Sequence, residues 1–267
     1  MIKVANTSAK PKIAVHKFSS CDGCQLALLN LGEPLLTLAN LVDIIHFAEA
    51  GPVEPDAKVD IAFVEGSITT PDELHRIQRV RANSRYLITI GACATAGGIQ
   101  ALRNNANASD WMAAIYAQPD FIETLDTSTA IAEHVRVDFE LWGCPISSQQ
   151  IVAVVRVLLF GVAPLQEHDS LCLECKRQGN VCVLVTGQKP CMGPVTQTGC
   201  GALCPKFGRA CYACYGPKEN ANPDSLSERF QGFGLLPDEI ADKFLLINNA
   251  APVFAAAGQK AKENKHD

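Results

Sequence analysis

The sequence predicts an α/β fold in which a doubly wound, parallel sheet of the flavodoxin-like type is followed by a small irregular domain. Two observations support this prediction. Short runs rich in β-branched residues alternate with helical patterns up to Phe160, as in βαβ units. Beyond them, eight of the twelve cysteines are crowded between Cys172 and Cys214, where hydrophobic periodicity is lost. Such a segment cannot build a hydrophobic core, so bound metal is expected to organise it.

Five apolar runs have the length and composition of buried parallel strands. Because helical patterns separate them, a sheet with helices on its faces is expected. The predicted strands are Lys12–Phe18, Val42–Phe47, Val59–Val64, Tyr86–Ile90 and Val137–Trp142.

Three segments have helical patterns: Gln25–Leu38, Pro71–Ala82 and Ser147–Phe160. The second has proline at its start and a threonine, Thr69 or Thr70, in the capping position, as helix N-termini prefer.

The chain divides into four predicted segments. Both ends are polar and are expected to be flexible. The segments are a flexible N-terminus (1–11), the flavodoxin-like domain (12–163), the cysteine-rich domain (164–254) and a flexible tail (255–267).

Four cysteines lie outside the cysteine-rich domain, and each follows a predicted strand. Cys21 and Cys24 come after the first strand, Cys93 after the fourth and Cys144 after the fifth. In an open α/β sheet the ligand crevice lies beyond the carboxyl ends of the strands, so these side chains are expected to converge. A glycine lies near each of them, which lets the backbone approach a bulky group and offers it N–H donors.

Glu65 ends the third strand at the same edge. It is a candidate for a polar or proton-relay role. A surface carboxylate that only makes hydrogen bonds is the alternative.

Twelve cysteines make three sets of four, and four thiolates are the ligand set of a 4Fe-4S cluster. The count therefore suggests three clusters that carry electrons. Zinc bound by four thiolates is the alternative for the eight-cysteine segment, since paired Cys-x-x-Cys units also build zinc ribbons. A thioredoxin-like redox pair would explain Cys21 and Cys24 alone, but it leaves Cys93 and Cys144 unexplained.

The composition limits the class of protein and the cellular compartment that are expected. A net charge of -5 argues against nucleic acid, which calls for a basic patch. The N-terminus lacks the apolar region of a signal peptide, and the apolar run around 151–162 is too short to span a membrane. A cytoplasmic protein is expected, in which metal or redox roles for cysteine are favoured over disulfides.

Several motifs, taken in order, resemble the small subunit of nickel-iron hydrogenases. They are Ser-Cys-Asp-Gly-Cys-Gln at 20–25, Glu-Gly-Ser-Ile at 65–68, Gly-Ala-Cys-Ala-Thr-Ala-Gly-Gly at 91–98 and Gly-Cys-Pro at 143–145, followed by the eight cysteines. The resemblance implies that the flavodoxin-like domain holds a cluster facing the nickel-iron centre of a separate large subunit.

The resemblance also implies which cysteines hold each cluster. The implied ligands are Cys21, Cys24, Cys93 and Cys144 for a proximal 4Fe-4S cluster, Cys200, Cys204, Cys211 and Cys214 for a medial one, and Cys172, Cys175, Cys182 and Cys191 for a distal one.

Some positions differ from the periplasmic members of that family. Cys172 stands where they have a histidine ligand, and His168 is interpreted as a linker residue. Cys204 stands where they often have proline and a three-iron cluster, whereas Gly23 is kept, as in an ordinary proximal site. With no twin-arginine leader or membrane-anchoring tail, the chain resembles the soluble cytoplasmic branch, which includes sulfhydrogenase delta and NAD(P)- or deazaflavin-linked subunits.

The expected function is that of a non-catalytic electron-transfer subunit in a hetero-oligomer. It would relay electrons between the nickel-iron site of the large subunit and a diaphorase-type or other electron-transfer partner, with no nucleic acid and no direct membrane anchor. Two other functions stay open: an electron-transfer subunit of a respiratory or heterodisulfide-linked complex without hydrogenase activity, and a zinc-stabilised interaction protein.

Overall fold

A computed structural model of the chain describes residues 10–160, 162, 164 and 168–264. The chain forms two compact units, one of Met1–Leu141 with Pro145–Leu165 and the other of Trp142–Cys144 with Gln166–Asp267. Most of the predicted N-terminal tail and the last three residues of the predicted C-terminal tail lie outside the described residues. Within the described residues, no helix has the length and apolar character needed to cross a membrane.

The first unit contains a five-stranded sheet in which every pair of neighbouring strands is parallel. The strands are β1 (Lys12–Lys17), β2 (Asp43–Phe47), β3 (Val59–Glu65), β4 (Ser84–Ile90) and β5 (Phe139–Leu141). Their order in the sheet is β2-β1-β3-β4-β5. The predicted α/β fold with a doubly wound parallel sheet is confirmed.

Both faces of the sheet are buried, which explains the nearly continuous apolar runs. Along β3, Ile61 and Phe63 face one hydrophobic cluster, whereas Ala62 and Val64 face another. This alternation is the period-two pattern of a strand.

Over its described residues, the first unit has six α-helices. They are α1 (Gly23–Leu29), α2 (Glu33–Leu41), α3 (Pro71–Asn83), α4 (Gly91–Ala96), α5 (Ala108–Ile115) and α6 (Ser148–Leu159). The single helix predicted over 25–38 is wrong, because the chain breaks at Gly32, whose φ is 65°, and restarts with Pro34 in the first turn of α2. Proline has no N–H to continue a preceding helix. The helix predicted from Pro71 is correct, and Thr70 and Glu73 form a capping box at its start.

The described part of the second unit has short helices where its cysteines lie and three longer ones afterwards. They are α7 (Leu171–Arg177), α8 (Val183–Thr186), α9 (Leu203–Lys206), α10 (Pro223–Gln231), α11 (Pro237–Phe244) and α12 (Pro252–Glu263).

The flexible tail predicted from Ala255 is wrong over the described residues, because α12 is an ordered helix with a buried face. Phe254, Ala257 and Ala261 are buried at helical spacing. The Phe254 ring lies 5.9 Å from that of Phe244 in α11. Small apolar residues give a weak periodic signal in a sequence, which is why the polar composition of the end was misleading.

Two buried histidines lie next to each other within the sheet. The rings of His16 in β1 and His46 in β2 are 4.6 Å apart. Burial, assisted by His46 and the charge of Arg76, lowers the pKa of His16 from 6.5 to about 3. The folded protein therefore keeps this imidazole neutral.

We predict that His16 makes the protein less stable in acid. Below pH 6.5 the unfolded chain binds a proton at this position, whereas the folded chain binds it only near pH 3, so stability is complete above pH 6.5 and falls as the pH drops towards 3. Wild type should lose about 2 kcal/mol more than His16→Gln between pH 7 and pH 5 in denaturant unfolding. His75→Gln, at an exposed position of α3, is the control. Equal pH slopes in wild type and His16→Gln would contradict the prediction.

Candidate functional site

Three cysteines of the first unit lie at the carboxyl edge of the sheet. Strands β1, β3 and β4 are neighbours there, in parallel register. Cys21 lies in the loop after β1, Cys24 in the first turn of α1 and Cys93 in α4, directly after β4. Cys144 follows β5 in the chain but belongs to the second compact unit.

Glycines lie against these sulfur atoms. A Cβ atom on Gly23 would be 3.4 Å from Cys21 Sγ and 3.6 Å from Cβ of Pro145. A Cβ atom on Gly98, whose φ is 59°, would be only 2.5 Å from Cys93 Sγ. A larger residue at position 98 would therefore displace the thiol of Cys93.

Glu65 is buried at the end of β3, with only 2% of its surface exposed, so it is not a surface carboxylate. Its Oε1 accepts the N–H of Cys24 at 3.0 Å, and its Oε2 accepts the N–H of Gln25 at 3.2 Å. Burial raises the pKa of Glu65, which the hydrogen bonds from Cys24 and Gln25 oppose. The carboxylate thus fixes the backbone that carries Cys24.

In the second unit, one group of thiols surrounds Cys191. Burial raises the pKa of Cys191 and of Cys175, and charge on Cys172 and Cys182 would raise both further. A Cβ atom on Gly193 would lie 3.5 Å from the sulfur atoms of both Cys172 and Cys191. These four cysteines therefore share one neighbourhood.

A second group surrounds Cys214. Burial raises the pKa of Cys214 to about 12, and charge on Cys200, Cys144 and Cys204 would raise it as well. Burial also raises the pKa of Cys200, with Cys204 close enough to contribute. Cys144 thus lies beside a group that the resemblance assigns to a different cluster.

Cys211 lies between the two groups. Its N–H donates to Cys191 Sγ at 3.2 Å, and its own Sγ accepts the N–H of Ala213 at 3.3 Å. Burial raises the pKa of Cys211, and charge on Cys191 and Cys214 would raise it further.

Backbone N–H groups point at several of the buried sulfur atoms. The further donors are Gly193 to Cys191, Leu203 to Cys200, and Cys144 to Cys214. Buried thiols stay protonated without a cation, whereas iron would supply the positive charge and N–H donors would stabilise the sulfur ligands. The donor set therefore fits iron-sulfur clusters.

The thiols are not arranged around a single ion. None of the twelve cysteines forms a disulfide, and all lie in the described ranges. Within those ranges, no group of three or more His, Cys, Asp or Glu side chains is placed to hold one metal ion.

Sequence patterns did not indicate a contact made by α7, the short helix that carries Cys172 and Cys175. Oxygen atoms of Glu174 accept the N–H groups of Gly199 at 3.0 Å and Ala202 at 3.2 Å. The side chain of Gln178, one turn later, donates to a carbonyl of the same loop at 2.8 Å. The helix thereby holds the loop that contains Cys200, although acidic and amide residues in a short helix are usually solvated.

Comparisons with known proteins agree with this chemistry. Residues 21–158 match the family model described as NADH ubiquinone oxidoreductase, 20 Kd subunit. The Sulfhydrogenase 2 subunit delta of Pyrococcus furiosus is 33% identical over 85% of this chain and 94% of its own length. The NAD-reducing hydrogenase HoxS subunit delta of Cupriavidus necator is 28% identical over 59% of this chain and 82% of its own. A chain in the crystal structure of NAD+-reducing NiFe-hydrogenase in the H2-reduced state superposes with a TM-score of 0.55 and 26% identity, covering 59% of this chain and 95% of that chain.

We predict that Glu65→Gln will destabilise the protein. Glutamine has one acceptor oxygen, so one of the two N–H groups at the start of α1 would be buried without a partner, at a cost of about 1–3 kcal/mol. Denaturant unfolding measures this loss. The control is Glu33→Gln, in the first turn of α2, where the glutamate is exposed and makes no capping bond. The control should change stability by no more than about 0.5 kcal/mol, and an equal effect of both variants would contradict the prediction.

Proposed function

The chain belongs to the NADH ubiquinone oxidoreductase 20 Kd subunit family, and we propose that it is the electron-transfer small subunit of a nickel-iron hydrogenase. The observation that carries this proposal is the match to a sulfhydrogenase delta subunit over 94% of that subunit's length. That match is long enough to include both the cysteines at the sheet edge and the eight-cysteine segment.

We propose three 4Fe-4S clusters, with each cysteine in the role that the motifs imply. The neighbourhood of Cys191 supports the distal set, and that of Cys214 supports the medial set. The positions of Cys21, Cys24 and Cys93 after parallel strands support the proximal set, which Cys144 completes. The sets are Cys21, Cys24, Cys93 and Cys144 (proximal), Cys200, Cys204, Cys211 and Cys214 (medial), and Cys172, Cys175, Cys182 and Cys191 (distal).

Each cluster would supply one one-electron centre, and the chain would control where that centre lies and how it is solvated. The thiolates would hold iron. Backbone N–H donors to sulfur would stabilise the reduced form of each cluster, because that form carries the larger negative charge. Glu65 holds Cys24 in place, and its raised pKa is compatible with the proton-relay role considered for it. Catalysis at nickel is assigned to the large subunit.

Exposed apolar side chains support a partner subunit at the edge of the sheet that carries Cys21, Cys24 and Cys93. Leu26 is 52% exposed two residues after Cys24, and Ile99 is 51% exposed in the turn after α4. A large subunit that covered this edge would bury them. We propose that this subunit and a diaphorase-type or other electron-transfer subunit complete a cytoplasmic complex.

Metal analysis tests the proposal directly. The complex purified anaerobically through this chain should contain nickel, and the chain itself should bind about twelve iron atoms and no nickel. The chain alone should not evolve hydrogen from reduced viologen, because it lacks the nickel site. Zinc as the main metal would overturn the cluster assignment. Iron without nickel in the complex would favour the respiratory or heterodisulfide-linked alternative.

We predict that Cys204→Pro will convert one cluster to a three-iron form. Cys204 is the second residue of α9, so its N–H is not needed for a hydrogen bond within that helix. Without its thiolate, one corner iron of the medial cluster has no protein ligand. The oxidised variant should show a new three-iron EPR signal and should reduce its low-potential acceptor more slowly than wild type.

A second substitution separates the loss of the thiolate from the effect of proline on the backbone. Cys204→Ala removes the thiolate without proline and should give the same three-iron signal. Three intact four-iron clusters in both variants would show that Cys204 is not a ligand.

A further inference from the structure

A tryptophan lies directly against a glycine within the second unit. A Cβ atom on Gly216 would be 2.2 Å from Cε3 and 2.6 Å from Cζ3 of Trp142. Separations under about 3 Å between carbon atoms are far inside their ordinary contact distance of 3.5–4.0 Å. The indole ring can therefore occupy this place only because residue 216 has no side chain.

The turn that contains Gly216 is held firmly. The N–H of Gly216 donates to the carbonyl of Ala213 at 3.0 Å, and its carbonyl accepts the N–H of Gln197 at 3.1 Å. The buried side chain of Asn248 also donates to the Ala213 carbonyl, at 2.7 Å. Four backbone groups of Ala213, Gly216 and Gln197 are therefore hydrogen-bonded, which holds the turn in place. A side chain at position 216 would move the indole ring and not the turn.

The two segments that meet at this contact each carry a proposed cluster ligand. Trp142 is separated from Cys144 only by Gly143, and Gly216 is separated from Cys214 only by Tyr215. The N–H of Cys144 donates to Cys214 Sγ. The ring thus sits beside a hydrogen bond that joins a proposed proximal ligand to a proposed medial ligand.

We propose that Trp142, seated on Gly216, is a positioning residue that holds the Cys144 N–H against Cys214 Sγ and so raises the reduction potential of the medial cluster. This inference rests on the proposed function. The ring acts as a spacer of defined thickness: it keeps the Cys144 amide within reach of Cys214 Sγ. Displacing it lengthens or breaks that hydrogen bond. The medial cluster then loses an N–H donor to one sulfur, which disfavours its reduced form.

Gly216→Ala tests the inference in the anaerobically purified complex. In a redox titration followed by EPR, the medial cluster of the variant should have a more negative potential than in wild type. Gly234→Ala is the matched control, since Gly234 has a φ of 88° but no atom within 4 Å of its Cβ position. It reproduces the backbone strain without the collision and should leave the medial potential unchanged.

A double-mutant cycle isolates the ring contact. Trp142→Leu alone should also make the medial potential more negative, because no ring then holds the Cys144 amide in place against Cys214 Sγ. In the Trp142→Leu background, Gly216→Ala should cause no further change, since the colliding ring is absent. If Gly216→Ala does not fold, Trp142→Leu with a full iron content still decides the question through its medial potential.

Three results would overturn the inference while leaving the proposed function intact. They are a wild-type medial potential in Gly216→Ala and Trp142→Leu at full iron content, equal effects of Gly216→Ala and Gly234→Ala, and an undiminished effect of Gly216→Ala in the Trp142→Leu background. Zinc in place of iron in the wild-type chain would instead overturn the proposed function.

Discussion

Hydrogen bonds from backbone N–H groups to sulfur are the interaction on which the second unit depends. Its thiols are buried, and burial alone raises the pKa of residues such as Cys191 and Cys214. A buried sulfur can carry negative charge only where iron and N–H donors replace the lost water. The irregular backbone of this unit follows from that requirement, because regular helices and strands consume the N–H groups that the sulfur atoms need. Where a regular helix is present, as in α7, its side chains hold a cysteine loop instead.

The first unit places its cysteines by other means. Its parallel sheet brings the segments after β1, β3 and β4 to one edge, because these strands are hydrogen-bonded neighbours. Glu65 then binds two N–H groups at the start of α1, which positions Cys24 from the neighbouring strand. The rigid, apolar sheet thus holds in place the glycine- and cysteine-containing loops, which have little rigidity of their own.

The sequence predicted what depends on local pattern. Apolar runs predicted all five strands, and Pro71 with a preceding threonine predicted the start of α3, where Thr70 is the cap. The apolar pattern continues across Pro34, so the sequence predicts one helix where the structure has two. The buried face of α12 consists largely of alanine and glycine, which give too weak a periodic pattern to predict a helix. The contacts of Glu174 with the loop around Cys200 and of Gly216 with Trp142 could not be predicted from local pattern. Each joins residues that are far apart in the sequence.

Glycine is the residue that connects these observations. Gly98 lies against Cys93, Gly193 against two sulfur atoms, and Gly216 against the ring of Trp142. At each position a methyl group would press on a ligand or on the residue that places one, while the number of cysteines would stay the same. The cysteines supply the thiols of the proposed clusters. The glycines determine how closely the backbone and its N–H donors approach those thiols, and in a protein that binds iron-sulfur clusters this approach tunes the reduction potential.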